Sequence, residues 1–131
     1  MSFRDIQVDV ESAFKSNEWA SEGFPMIPAN VKTHTGTDFV RLNVFVPSSE
    51  IDGFGYATDI GFVDINIFTK SGTGERRSNE ICDALDRLFN GKTLGLTQFS
   101  KSTLTKVGED PEDSQLWRVD YMIPFRRPTT L

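Results

Sequence analysis

The sequence predicts an α+β fold: a two-layer sandwich with a mostly antiparallel four-stranded sheet and two helices on one face, in the order α-β-β-α-β-β. Two segments carry apolar residues at the three- and four-residue steps of an amphipathic helix. Three others alternate apolar and polar residues, which is typical of strands, and a polar segment precedes the last of them. The 131 residues match the length of one domain, so residues 1–131 are expected to form a single unit.

Both predicted helices have local signals at an end. Ser2 is a suitable N-cap, Asp5 follows it three residues later, and the first helix is expected to run to about Lys15. The second helix follows the glycine-containing turn 71–74 and ends at Asn90-Gly91, since glycine readily adopts the left-handed conformation of a helix stop. The apolar stripes consist of Phe3, Ile6, Val10 and Phe14 in the first helix and Ile81, Leu85, Leu88 and Phe89 in the second.

The four predicted strands span residues 38–46, 60–69, 94–107 and 115–126. Pro47 is expected to end the first strand, and a long loop over residues 48–59 joins it to the second. Residues 16–37 have no sustained period, which predicts an irregular connection. The last two strands are expected to form an antiparallel hairpin with an exposed acidic turn at 108–114.

The composition excludes several classes of function. A net charge of −5 and a pI near 4.8 oppose binding to nucleic acid through phosphates. A single cysteine, Cys82, and a single histidine, His34, cannot form an intramolecular disulfide or a zinc site of the usual Cys/His type. No apolar run is long enough to span a membrane and no secretory signal is visible, so we expect folding in a cytoplasm, with no cofactor and no membrane partner.

No catalytic constellation stands out, so the chain is not expected to be an enzyme. Gly72-Thr73-Gly74 lacks the spacing and the lysine of a phosphate-binding loop. His34 has no assignable nucleophile, and Cys82 flanks an apolar stripe, where a thiol behaves as a small hydrophobe. An alternative hypothesis is a small ligand-binding or enzymatic domain with a pocket under the 48–59 loop. Binding of a small molecule that is weakened by changing His34 or Asp64 would favour it.

Aromatic residues on the strand faces instead predict an interface. Two helices cover only one face of a sheet, and aromatic side chains mixed with polar ones on the other face are typical of protein contacts. The predicted subunit or partner contacts on this face are Phe39, Arg41, Phe45, Phe62, Asp64 and Phe68, with Arg126 and Arg127 as a basic end. The predicted partner loop contains Glu50, Ile51, Asp52, Phe54 and Tyr56.

Five stretches resemble a known family, the tail-terminator (tail-completion) proteins of long-tailed bacteriophages. They are Pro28–Val31, Phe39–Val44, Gly61–Thr69, Gly72–Gly74 and Ile81–Phe89. Their hydrophobic patterns and turn glycines extend over most of the chain. They contain no catalytic signature.

The resemblance implies a structural role at the head-proximal end of a phage tail. A homo-oligomeric ring, usually a hexamer, would cap the tail tube, stop its polymerisation and offer a surface for head joining. Its partners would be further copies of itself, the tail tube protein and a head-completion or neck protein, and it would be made in the cytoplasm of the host bacterium. DNA would pass through the ring without specific binding, so we expect an acidic or neutral bore. A head-completion or neck component is the alternative role.

Overall fold

In the described part of the chain, seven strands form one mixed sheet. The computed structural model describes residues 3–28 and 38–130. The strands are β1 (Met26–Pro28), β2 (Phe39–Gly53), β3 (Tyr56–Lys70), β4 (Thr93–Leu94), β5 (Thr97–Phe99), β6 (Thr103–Asp110) and β7 (Asp113–Thr130). The helices are α1 (Phe3–Phe14), α2 (Asn17–Ala20) and α3 (Arg76–Phe89).

Three long antiparallel strands, β2, β3 and β7, form the centre of the sheet. β3 pairs with β2 on one side and with β7 on the other, the latter from Tyr56 opposite Thr130 to Lys70 opposite Leu116. β1 adds to the outer side of β2 in parallel. On the far side of β7, β6 pairs with its first half and β5 with residues 125 and 126. The sheet is therefore three strands wide in its middle and is extended at both sides by shorter strands.

The two longer helices form where the helical periodicity predicts them. α1 buries Ile6, Val10 and Ala13. α3 follows Gly72 and Gly74, which both have positive φ, and its buried face includes Ile81 and Leu85. The short α2 is capped by Ser16, whose hydroxyl accepts a hydrogen bond from the Trp19 backbone at 3.2 Å. In the part of the chain that the structure describes, no helix is long and apolar enough to cross a bilayer.

The main core lies between the helices and one face of the sheet, which we call the helix face. On β3 this face carries Val63, Ile65 and Ile67, all with no exposed surface. Four aromatic rings tie the layers together: Phe89 of α3 lies 5.7 Å from Phe14 and 5.1 Å from Phe99, and Phe99 lies 6.1 Å from Phe125. Burial of such rings contributes about 1.5–3 kcal/mol each, so this layer supplies most of the apolar stabilisation.

The predicted four-stranded α+β sandwich is wrong: within residues 3–28 and 38–130 the molecule is mostly β, a curled mixed sheet accompanied by three helices. The predicted single strand over residues 94–107 is also wrong, because the structure divides this segment among β4, β5 and β6. β1, β4 and β5 have two or three residues each, too few to establish a period-two pattern. β1 and β5 pair with free backbone groups of the longer β2 and β7, and β4 pairs in turn with β5.

The predicted 48–59 loop is also wrong. β2 continues to Gly53 and β3 begins at Tyr56, so these residues form the end of a long hairpin. A register shift between Phe45 and Ser48 accommodates Pro47 within β2, where the sequence predicts a strand end. A bulge of this kind leaves the extra residue unpaired and lets pairing resume beyond it.

The predicted irregular connection 16–37 contains α2 and β1. His34 and most of Pro28–Val31 lie outside the described residues, so their predicted environments are not addressed by the structure.

Candidate subunit interface

The face of the sheet opposite the helices, which we call the second face, carries all six strand residues that the sequence singles out. On β3 it presents Phe62, Asp64, Asn66 and Phe68, and the register places Phe39, Arg41 and Phe45 beside them on β2. The structure therefore brings these side chains together on one surface. Along the strands, that surface changes from buried aromatic to polar to exposed apolar.

The aromatic end is buried within the subunit. The rings of Phe39 and Phe68 are stacked at 4.7 Å and form a small cluster with Leu116, against which Ile27 packs. The Arg41 guanidinium lies over the Phe68 ring, 5.5 Å from its centroid. A cation in this position is attracted by the ring quadrupole. Phe39 and Phe68 thus stabilise the subunit and have little surface left for a partner.

The polar middle of the second face is a hydrogen-bonded network across three strands. Asn43 donates to Asn66 at 3.1 Å, and Asn66 donates to Asp120 at 2.9 Å. Arg118 donates two hydrogen bonds to the same carboxylate, at 2.7 and 3.1 Å. This network fixes the register of the three central strands on a face that the helices do not cover.

Asp64 borders this network and is less well compensated. Its partial burial, and then the nearby Asp120 carboxylate, raise the pKa of Asp64 above the ordinary aspartate value. The hydrogen bonds from Arg118 go to Asp120 and raise the pKa of Arg118. The second face therefore holds one negative charge that the subunit itself neutralises only in part.

An exposed apolar patch follows toward the far end of the strands. We define it as Phe45, Ile60, Phe62 and Met122. The Phe45 and Phe62 rings stack at 4.9 Å, and Phe45, Ile60 and Met122 are 45%, 36% and 38% exposed. Contiguous exposed apolar side chains of this kind mark sites of protein contact.

Beyond the patch, the hairpin continues as an arm of three strands. We define the arm as residues 48–59 together with 127–130, which stay paired up to Tyr56 opposite Thr130. Three apolar side chains are exposed at its end, which we call the tip: Ile51 (75%), Phe54 (fully) and Tyr56 (63%). The predicted partner residues of the loop thus lie on a paired β-hairpin, which holds them in place better than a mobile loop would.

The two arginines of the predicted basic end point to opposite faces. Arg126 is exposed and lies opposite Ile60 on the second face. Arg127 is only 8% exposed and donates to the Asp9 carboxylate of α1 at 3.3 Å. Thr97 donates to the same carboxylate at 2.8 Å. Arg127 is therefore a link between α1 and β7 and leaves little surface for a partner.

The other candidate groups for chemistry are buried in the core. Burial, with the nearby Asp86 and Asp83 carboxylates, raises the pKa of the Cys82 thiol to about 11. Burial also raises the pKa of Tyr121, whose hydroxyl donates to Asp86 at 2.8 Å. Among the described residues, no three acidic, histidine or cysteine side chains are placed to hold a metal ion.

Sequence reasoning missed two members of the apolar patch, Ile60 and Met122. Met122 lies directly opposite Asp64, and Ile60 continues the period-two series of Phe62 and Asp64. Alternation along each strand indicates these faces, but the grouping depends on which strands are neighbours.

The fold and this surface define a class: a small curled mixed sheet with helices on one face and a second face divided into polar and exposed apolar zones. The sequence matches no protein-family model and no curated protein. The fold is similar to that of a chain in a solved structure described as the virion of the native gene transfer agent (GTA) particle. The two chains are 18% identical, with a TM-score of 0.71, and the similarity covers 98% of this chain and 100% of that chain.

A second solved structure shares the fold. It has a TM-score of 0.62 at 17% identity, and the similarity covers 92% of this chain and 94% of that one. Both similarities extend over nearly the whole of each chain. They establish a shared fold.

Proposed function

We propose that the chain is a phage virion structural protein and, more specifically, a ring-forming tail terminator without catalytic activity. The observation that carries the proposal is the end-to-end similarity to a chain of the gene transfer agent virion. The similarity covers 98% of this chain and the whole of that chain. Nearly complete mutual coverage means that the whole fold is shared and not one supersecondary motif, and the common role is inferred from this fold by analogy.

The surface of the subunit supports the same proposal. A ring needs a head-to-tail contact, in which two different patches of the same chain are complementary. The exposed apolar patch and the apolar tip are two such unmatched surfaces, held on the same rigid sheet. A terminator also needs partners along the tail axis, and the remaining polar zone of the second face offers charged and amide groups for them.

Deletion of the coding sequence from the producing phage tests the role. A tail terminator stops tube polymerisation, so particles made without it are expected to carry tails of irregular, increased length, as measured by negative-stain electron microscopy. Tails of normal length that fail to join filled heads would identify a neck component instead. Normal, infectious particles would contradict both roles.

The position in the particle tests the same proposal independently. An epitope tag at the N-terminus, detected with gold-labelled antibody, is expected at the junction of head and tail. Mass spectrometry of purified virions should find about six copies for each particle if the ring is of the usual hexameric kind. Absence from virions would contradict the proposal.

A further inference from the structure

We propose that the tip of one copy docks on the apolar patch of a second copy, so that copies of this chain join head to tail through the arm. The inference rests on the proposed function and deepens it, because it names the contact by which the ring forms. The two surfaces are Ile51, Phe54 and Tyr56 at the tip and Phe45, Ile60, Phe62 and Met122 in the patch.

The tip cannot satisfy the patch of its own subunit. Tyr56 and the nearest patch residue, Ile60, are four residues apart on the same strand, which corresponds to about 13 Å at the ordinary rise of a β-strand. The ladder between β3 and β7 is continuous between them and extends to Thr130. The arm therefore cannot fold back without breaking backbone hydrogen bonds, and the two apolar surfaces can meet only between molecules.

Charge favours a second copy of the chain as the occupant. Glu50 is exposed on the arm opposite Thr58, midway between Tyr56 of the tip and Ile60 of the patch, and Arg126 is exposed opposite Ile60 at the rim of the patch. Within the described residues, neither takes part in an ion pair. Docking of a tip on a patch brings these opposite charges together.

A ring of more than two copies needs a contact between unlike surfaces, because a symmetric contact of two tips or of two patches uses the same surface on both copies and stops at a dimer. The proposed ring therefore requires a heterologous contact, and such a contact closes into a ring when the rotation between copies permits it.

Cysteine cross-linking between copies tests the contact, even where association is weak. The only native cysteine is buried and, with a pKa of about 11, protonated near neutral pH, so it contributes little background. Purified Phe54→Cys and Met122→Cys variants, one of them isotope-labelled, are mixed at about 0.1 mM, where even micromolar contacts are populated, and treated with a short bis-maleimide. We expect mixed dimers at least tenfold above the dimers formed by either variant alone.

A matched control uses Asp83→Cys, an exposed position on α3, mixed with Met122→Cys. Equal cross-linking in the control pair, or equal dimers from Phe54→Cys alone, would overturn the inference. Circular dichroism confirms that each variant is folded, and Ile60→Cys replaces Met122→Cys if the latter is not. Absence of any cross-link between Phe54→Cys and Met122→Cys would also overturn it.

Exchange of the two charges provides a second, independent readout. Glu50→Lys is introduced into the Phe54→Cys variant and Arg126→Glu into the Met122→Cys variant, and each exchange alone is expected to reduce the mixed dimers several-fold. When both exchanged variants are mixed, the yield of mixed dimers should be restored. Failure of the double exchange to restore them would contradict the predicted juxtaposition of Glu50 and Arg126.

These results are separable from those that test the proposed function. Selective cross-linking together with normal tails in the deletion strain would support the contact between copies and reject the terminator role. Abnormal tails together with unselective cross-linking would support the terminator role and reject the contact.

Discussion

Gly61 lies at the base of the arm, and its replacement by alanine tests how closely the backbones of β2 and β3 approach there. Gly61 faces the position at which the register of β2 shifts between Phe45 and Ser48. A Cβ atom on Gly61 would overlap the Phe45 carbonyl oxygen and would lie 2.8 Å from Cζ of Phe125. The Phe125 ring can adjust, but the carbonyl belongs to the backbone of the neighbouring strand.

The cost of Gly61→Ala can be estimated from this geometry. Forcing an extra methyl group into a packed site costs about 1–3 kcal/mol, and contact with backbone favours the upper value. The loss of glycine's freedom in the unfolded chain offsets about 0.4–1 kcal/mol, which leaves a destabilisation of about 2 kcal/mol. The unfolding entropy of a chain of 131 residues is about 0.28 kcal/mol/K. The melting temperature is therefore expected to fall by about 7 °C.

Thermal unfolding followed by circular dichroism measures this shift, and Gly53→Ala is the matched control. Gly53 belongs to the same hairpin, but a Cβ atom there would have no neighbour within 4 Å and its φ is not positive. The control is expected to keep or slightly raise the melting temperature. A Gly61→Ala protein that melts within about 2 °C of the parent, on the same scale of entropy, would refute the reasoning.

Three further predictions concern charged and titratable side chains. Arg127→Gln leaves the Asp9 carboxylate without its cation and is expected to destabilise the fold by about 3 kcal/mol, as measured by urea titration. The matched control Arg126→Gln, at an exposed position, should change stability by less than about 0.5 kcal/mol. Equal effects of the two substitutions would contradict the link between Arg127 and Asp9. Because burial raises the pKa of Asp64, the folded state binds more protons than the unfolded state between pH 3.8 and the raised value, and stability falls as pH rises through that window. Asp64→Asn should therefore be more stable than the parent at pH 7, with the difference disappearing below pH 3.8; a constant difference across this range would contradict the titration. Cys82 should react with a thiol reagent at pH 8 only after unfolding, and rapid modification of the native protein would show that the core is more open than described.

Several features could be predicted from local patterns. The stripes at three- and four-residue steps place α1 and α3 within a residue or two of their observed ends. Period-two alternation assigns Val63 and Ile65 to one face and Phe62 and Asp64 to the other, as the structure has them. These features depend on residues that are near each other in sequence, and each pattern is long enough to be distinct.

The sequence by itself determined the two long helices, the central strands and the two chemically different faces of the sheet, because each of these follows from the spacing of apolar residues along a continuous segment. Only the tertiary structure decided that residues 48–59 form a paired hairpin at the end of the arm, that strands of two or three residues extend the sheet, and that Arg126 faces outward while Arg127 binds Asp9. These depend on backbone hydrogen bonds and ion pairs between segments far apart in the chain, whose partners no local pattern specifies.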